Sequence, residues 1–210
     1  MSNYSGGNLF VISAPSGAGK TSLVKELLKK NNNLIISTSH TTRQPRDNEI
    51  NGEDYYFTAE KDFRDLIKKN YFIEYAKVFD NYYGTSRSLV ESKLKEGINV
   101  ILEIDWQGAK EVRVAGLNTI SIFILPPDIK TLRERLLNRK KDALKIIEQR
   151  MSAALNEISH YEEFEFVIIN DDFEETISKL NDIIVNPGTN LHRQSSFFKN
   201  FVSQMMAEEA

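Results

Sequence analysis

Four short, largely apolar runs punctuate the chain: Leu9-Phe-Val-Ile12, Asn99-Val-Ile-Leu102, Ile120-Ser-Ile-Phe-Ile-Leu125 and Phe166-Val-Ile-Ile169. They are rich in β-branched and aromatic residues, and their hydrophobicity is continuous rather than alternating. That is the pattern of strands covered on both faces. Leu34-Ile-Ile36 is a fifth candidate. Between these runs the period becomes helical. Lys20–Lys30 sets Leu23, Val24, Leu27 and Leu28 on one face, and Asn31-Asn-Asn33 ends it. Asp128, just after Pro126-Pro127, is placed to cap a helix over residues 129–137. Residues 143–160 carry Leu144, Ile147, Met151, Leu155 and Ile158 at helical spacing, and a last helix over Phe173–Val185 stops before Pro187-Gly188. Strands alternating with helices predict an α/β fold, a parallel sheet flanked by helices and built from right-handed crossovers.

Two stretches break the alternation. Residues 40–94 are long, aromatic and mixed, with Asp54-Tyr-Tyr-Phe57 and residues 71–79 reading as short half-buried strands. They predict an inserted mixed α/β lobe. Residues 133–150 are dense in cations and lie between two core strands, which makes them a candidate helical lid. The expected partition is a core of residues 1–38, 96–132 and 161–187, an inserted lobe of 39–95, a lid and following helix of 133–160, and a tail of 188–210. The tail is polar and then briefly amphipathic (Phe197, Phe198, Phe201, Val202, Met205), as an accessory helix or a frayed end would be.

Composition narrows the function classes. The 210 residues are 40% hydrophobic, with 27 basic against 30 acidic side chains and a net charge of -3. This is ordinary globular usage, with no global attraction toward nucleic acid. Zero cysteines remove a disulfide framework, a thiolate zinc site and a cysteine nucleophile. The longest uninterrupted apolar runs, such as residues 9–12 and 122–125, have four residues, against about 20 for a membrane-spanning helix. Residues 1–8 lack the basic and then apolar regions of a secretory signal. A cytoplasmic protein is expected, without a nucleic-acid or membrane partner. Monomer and homo-oligomer both stay open.

The densest chemistry is in Ala14-Pro-Ser-Gly-Ala-Gly-Lys-Thr21, between a predicted strand and a predicted helix. This is the context of a phosphate-binding loop. Ala14, Pro15, Ser16, Gly17, Ala18 and Gly19 would form a cradle with backbone N–H groups turned inward, and the helix N-terminus adds partial positive charge. Lys20 would reach the terminal phosphates and the Thr21 hydroxyl would ligate magnesium. The loop opens with Ala14 where the strict pattern has glycine. Such a loop binds nucleotide without choosing a reaction, since ATPases, GTPases, transporters and small-molecule kinases share it.

A second group of motifs follows in order: Ser39-His-Thr-Thr-Arg43-Gln-Pro-Arg46, Asn51-Gly-Glu-Asp-Tyr55, Phe72-Ile-Glu74, Asn81-Tyr-Tyr83-Gly-Thr85 and Ile104-Asp105-Trp-Gln-Gly108. Together with the cradle they closely resemble guanylate kinase, the family that phosphorylates GMP to GDP with ATP, from about Leu9 to about Val185. The residues make physical sense in that light. Arg43 and Arg46 lie three apart around a proline, so two guanidinium forks can converge on one dianionic phosphate. Tyr55 and Tyr83 can donate O–H bonds to it. Taken singly, each of these reads equally well as a surface arginine or a core tyrosine. Guanine offers N1–H and N2–H2 donors that one carboxylate can accept together. The resemblance places Glu74 and Asp105 there, with hydroxyls from Ser39 and Thr85 at the base edge. Thr85 stands where many members have serine, and Glu74 taken alone reads as a solvated strand residue.

The resemblance further implies that Arg135, Arg139 and Arg150 come from the lid and following helix and close over the phosphates. The stretch Arg139-Lys-Lys-Asp-Ala-Leu-Lys145 departs from the Arg-Gly and acidic sequence common in the family. Glu103, at a strand end beside Asp105, is a candidate to hold Mg2+ through water, or else a turn or cap group. Asn170, at the end of another core strand, is expected near the adenine. His40, His160 and His192 read as structural or exposed. The implied reaction moves the γ-phosphoryl group of ATP to GMP, and to dGMP, giving ADP and GDP. Two rivals remain: a non-catalytic interaction module built on the same fold, and a kinase for another small phosphate acceptor.

Overall fold

The computed structural model of the chain describes residues 6–78, 80–137, 144–193 and 195–207. In chain order the first half runs β1 (Leu9–Ser13), α1 (Lys20–Lys30), β2 (Leu34–Ile36), β3 (His40–Thr41), β4 (Tyr56–Phe57), α2 (Glu60–Lys68), β5 (Phe72–Val78), β6 (Asn81–Ser86) and α3 (Arg87–Lys95). It continues with β7 (Asn99–Glu103), α4 (Trp106–Val114), β8 (Thr119–Leu125), α5 (Ile129–Leu137), α6 (Leu144–Ile158), β9 (Phe166–Ile169), α7 (Phe173–Val185) and α8 (Ser196–Ala207). The five strands read from the sequence form one sheet, ordered β2-β7-β1-β8-β9. The β2–β7 and β8–β9 pairs are parallel, with Leu34 opposite Asn99 and Ile122 opposite Phe166. The continuous hydrophobicity has the expected cause: every residue of β1 is buried, as are Val100, Ile101 and Leu102 of β7 and Ile122–Leu125 of β8.

Two compact units divide the chain. One comprises residues up to Phe10 with Asn33–Thr119, and the other Val11–Asn32 with residues from Ile120 onward. In the second unit α1 buries Leu23, Val24 and Leu27 and packs against α7, while α5 packs against α6. Side-chain caps start two of the helices here. Asp128 opens α5, accepting the Thr131 N–H at 2.6 Å and its hydroxyl at 3.0 Å, and Asp172 opens α7 by accepting the Glu175 N–H at 2.8 Å.

The first unit holds a four-stranded sheet ordered β4-β3-β6-β5. β3 pairs parallel with β4 and antiparallel with β6. β5 and β6 form an antiparallel hairpin with Val78 opposite Asn81, and a register shift falls between Phe72 and Glu74. Asp80 makes the turn with φ 67°. Phe63 of α2 stacks on Phe72 at 4.5 Å and on Tyr82 at 5.5 Å, which gives this lobe its own aromatic core. His40 is part of that packing, buried against Tyr56 at 4.7 Å. Burial holds its imidazole below the ordinary value and favours the neutral form.

Candidate active site

Each unit carries its own set of candidate residues. In the second unit the phosphate loop begins where β1 ends. The Ala18 N–H bonds to the Pro15 carbonyl at 3.0 Å, closing the turn, and Gly19 stands at the N-cap of α1 with φ 96°. That left-handed conformation favours glycine. It is reinforced here by space, because a Cβ on Gly19 would lie 2.7 Å from Asn170 Nδ2. No acidic residue stands in the first turn of α1, so its positive end is not offset from within. Lys20 and Thr21 open the helix on this loop, Lys20 half-buried and Thr21 exposed.

Three side chains brace the loop from outside. Asn170, 4% exposed, donates from Nδ2 to the Ala18 carbonyl at 2.7 Å. Arg135 on α5 reaches the same carbonyl from Nη1 at 3.5 Å and the Asn170 carbonyl from Nη2 at 3.4 Å. From α6, Glu157 accepts the Ser16 N–H at 2.9 Å. Arg150 lies on the same helix, half-buried, and α5 and α6 are tied by Arg133 Nη1 to Glu148 Oε1 at 2.6 Å. Residues 138–143, with Arg139 and much of the unusual lid sequence, lie outside the described residues.

In the first unit the register of the β5–β6 hairpin sets Glu74 opposite Thr85. The Thr85 hydroxyl donates to Glu74 Oε1 at 2.6 Å, and both side chains are buried, Glu74 with 3% exposure. Burial pushes the Glu74 carboxyl up to about 7; the Thr85 bond opposes this, while the charges of Asp105 and Glu111 add to it. Asp105 caps α4 by accepting the Gly108 N–H at 2.9 Å. Gly108 has a reason of its own, since a Cβ there would stand 2.8 Å from Glu74 Oε2. Ser39, just before β3, is half-buried.

A second cluster in the same unit gathers Arg43, Tyr55 and Tyr83. The two tyrosine rings meet edge to face at 6.1 Å, and the Arg43 guanidinium lies 5.3 Å from the Tyr55 ring centre. Burial raises the Tyr55 hydroxyl above its ordinary value, with the negative charge of Glu103 next in effect, so Tyr55 stays an O–H donor at neutral pH. Arg46 is exposed on the neighbouring turn. The sequence reading missed Glu49, which binds the Arg43 guanidinium through two oxygens at 2.7 and 2.9 Å. An acid in the same turn as two arginines was the available signal. Glu157 and the bare Cα of Gly108 were missed as well, because their partners are remote in sequence.

The second unit thus offers a main-chain anion cradle at a helix N-terminus, and the first a buried carboxylate–hydroxyl pair together with an arginine–tyrosine cluster. The guanylate kinase family profile matches residues 6–186. A guanylate kinase of Psychrobacter arcticus is 48% identical over 201 residues, covering 96% of this chain and 97% of that protein. One from Rickettsia felis is 50% identical over 179 residues, covering 85% and 93%. Among solved structures, the guanylate kinase from Anaplasma phagocytophilum is similar with a TM-score of 0.73 at 33% identity, with 96% of each chain covered. The ordered motifs from the cradle to Gly108 and the α/β architecture therefore agree with the comparisons, and the chain belongs to the guanylate kinase family.

Proposed function

We propose that this chain transfers the γ-phosphoryl group of ATP to the phosphate of GMP, and to dGMP, releasing ADP and GDP. A GMP phosphate oxygen attacks the γ-phosphorus in line as the β–γ bridging bond breaks, so no side-chain nucleophile is required. The observation that carries the choice of guanine is the buried Glu74–Thr85 pair. An ionised Glu74 accepts N1–H and N2–H2 together, and adenine has no such donor pair. Asp105 and the Ser39 and Thr85 hydroxyls complete the base edge. Arg43, Arg46, Tyr55 and Tyr83 hold the GMP phosphate, so residues 39–95 act as the GMP-binding lobe.

Ala14 to Thr21 cradle the ATP phosphates, with Lys20 at the terminal ones. Asn170 serves ATP through the loop it braces. Arg135, Arg139 and Arg150 stabilise the charge on the migrating group, and such stabilisation is the main source of rate enhancement expected for this class of reaction. Residues 133–160 exclude water as a lid. The hard oxygen donors, the Thr21 hydroxyl and the Glu103 carboxylate through water, suit Mg2+. When bound with ATP, the ion offsets charge on the β- and γ-phosphate oxygens. No helix among the described residues is long and apolar enough to cross a membrane. The proposed location is the cytoplasm, where both nucleotide substrates are found.

The deciding experiment is ADP release measured across a panel of nucleoside monophosphates, with magnesium present or chelated. GMP should turn over fastest, dGMP more slowly, AMP and UMP by orders of magnitude less, and chelation should stop the reaction. Equal use of AMP and GMP would overturn the role given to Glu74. Binding of both nucleotides without diphosphate formation would leave only a recognition module.

A further inference from the structure

The turn from Arg43 to Glu49 carries a carboxylate where an anion site would be expected to show only cations. Glu49 Oε1 accepts from Arg43 Nη2 at 2.7 Å, and Oε2 accepts from Arg43 Nη1 at 2.9 Å and from the Arg46 N–H at 2.8 Å. Arg43 Nη1 also donates to the Gln44 carbonyl at 2.8 Å, and the Glu49 N–H returns to the Arg46 carbonyl at 3.0 Å. The pair is largely enclosed, with side-chain exposures of 17% and 16%. The Arg43 hydrogen bond holds the Glu49 carboxyl below its ordinary value, so it stays ionised at neutral pH.

A guanidinium is planar and carries five N–H donors in fixed directions. Here the carboxylate takes the end-on pair and the Gln44 carbonyl takes the other Nη1–H. Neither engages Nε–H or the outer Nη2–H, which point the same way and match the spacing of two phosphate oxygens. The Tyr83 hydroxyl acts on the same guanidinium.

We propose that Glu49 is a positioning residue of the acceptor site, remaining bound to Arg43 while the GMP phosphate is held and fixing the guanidinium so that its side-on donors meet that phosphate. The inference rests on Arg43 being a phosphate ligand. Retention is favoured over displacement. A phosphate that expelled the carboxylate would break two charge-assisted bonds and leave the Arg46 N–H to solvent, whereas the side-on edge can be used with both bonds to the carboxylate in place.

The test is equilibrium binding of GMP and of guanosine to the full chain and to Glu49→Ala, Glu49→Gln and Arg43→Met. Guanosine reports the base site and an intact lobe, and its affinity should stay within about twofold. The preference for GMP over guanosine reports the phosphate site alone. It should fall about tenfold or more in Glu49→Ala and less in Glu49→Gln, which keeps one acceptor for Arg43. It should fall in Arg43→Met as well. If Glu49→Ala also weakened guanosine binding, Glu49→Gln would decide by the same ratio. A preference that is unchanged or raised in the Glu49 variants, with Arg43→Met still impaired, overturns the positioning role alone. A preference unchanged in Arg43→Met overturns the phosphate-ligand reading and the proposal with it.

Discussion

Replacing Glu74 with glutamine should strengthen the fold at alkaline pH while disabling the enzyme. In the folded protein the carboxyl is raised from the ordinary 4.5 to about 7, so the folded state holds its proton more tightly than the unfolded chain does. Below 4.5 both states are protonated and nothing is lost. Between 4.5 and about 7 the unfolded chain has released its proton and the folded one has not, so stability falls as pH rises, by up to about 1.4 kcal/mol per pH unit. Above that window the loss is constant, about 3 kcal/mol in total. Glutamine keeps the shape and can still accept the Thr85 hydroxyl, yet it does not ionise. Urea denaturation of the nucleotide-free protein should therefore show the variant close to the parent at about pH 4.5 and about 2–3 kcal/mol more stable at about pH 8. GMP turnover should fall at least about a hundredfold, because an amide cannot accept both guanine donors. Guanosine, which has no phosphate to titrate, should bind the parent more tightly as pH rises through about 7 and bind the variant without that trend. Two stability curves that stay parallel across this range would refute the burial argument.

Three other outcomes follow from the geometry. Lys20→Ala should lower kcat by at least about a thousandfold with the denaturation midpoint little changed, and an unchanged rate would remove the cradle from the chemistry. Gly108→Ala puts a methyl against Glu74 Oε2; stability should drop by about 1–3 kcal/mol and the KM for GMP should rise with that for ATP unchanged, and a silent variant would show that the helix yields freely. Asn170→Ala removes the shorter of two hydrogen bonds to the Ala18 carbonyl, leaving it the longer one from Arg135, and should cost about 1 kcal/mol while raising the KM for ATP. An effect on GMP alone would contradict the brace.

How legible each element was in the sequence depends on how local its determinants are. α1, β9 and α7 occupy the residues read for them because period and terminator are adjacent: Asn31 after α1, a β-branched run for β9, Pro187 after α7. The Asp128 cap was equally local. The lobe was not. β3 and β4 are two residues each, β6 reads Asn-Tyr-Tyr-Gly-Thr-Ser, and Asp80 turns the hairpin without a glycine. Aromatic rings from separate segments stack in its core, and no single window displays that packing. The same division runs through the site. The cradle is contiguous and was readable as physics, whereas Glu74 gained meaning only from the ordered motifs around it. Glu49 escaped notice because pattern rules seek cations in an anion turn, and do not ask what holds them still.

Asp105 has two duties, one proposed toward the purine and one as the opening cap of α4, and Gly108 on the same helix must leave room for a carboxylate from another strand. Retuning base choice here is therefore a backbone problem. A variant selected for another purine would have to rebuild the first turn of α4, so directed evolution should arrive through insertions or shifted helix starts sooner than through point changes at the acid itself.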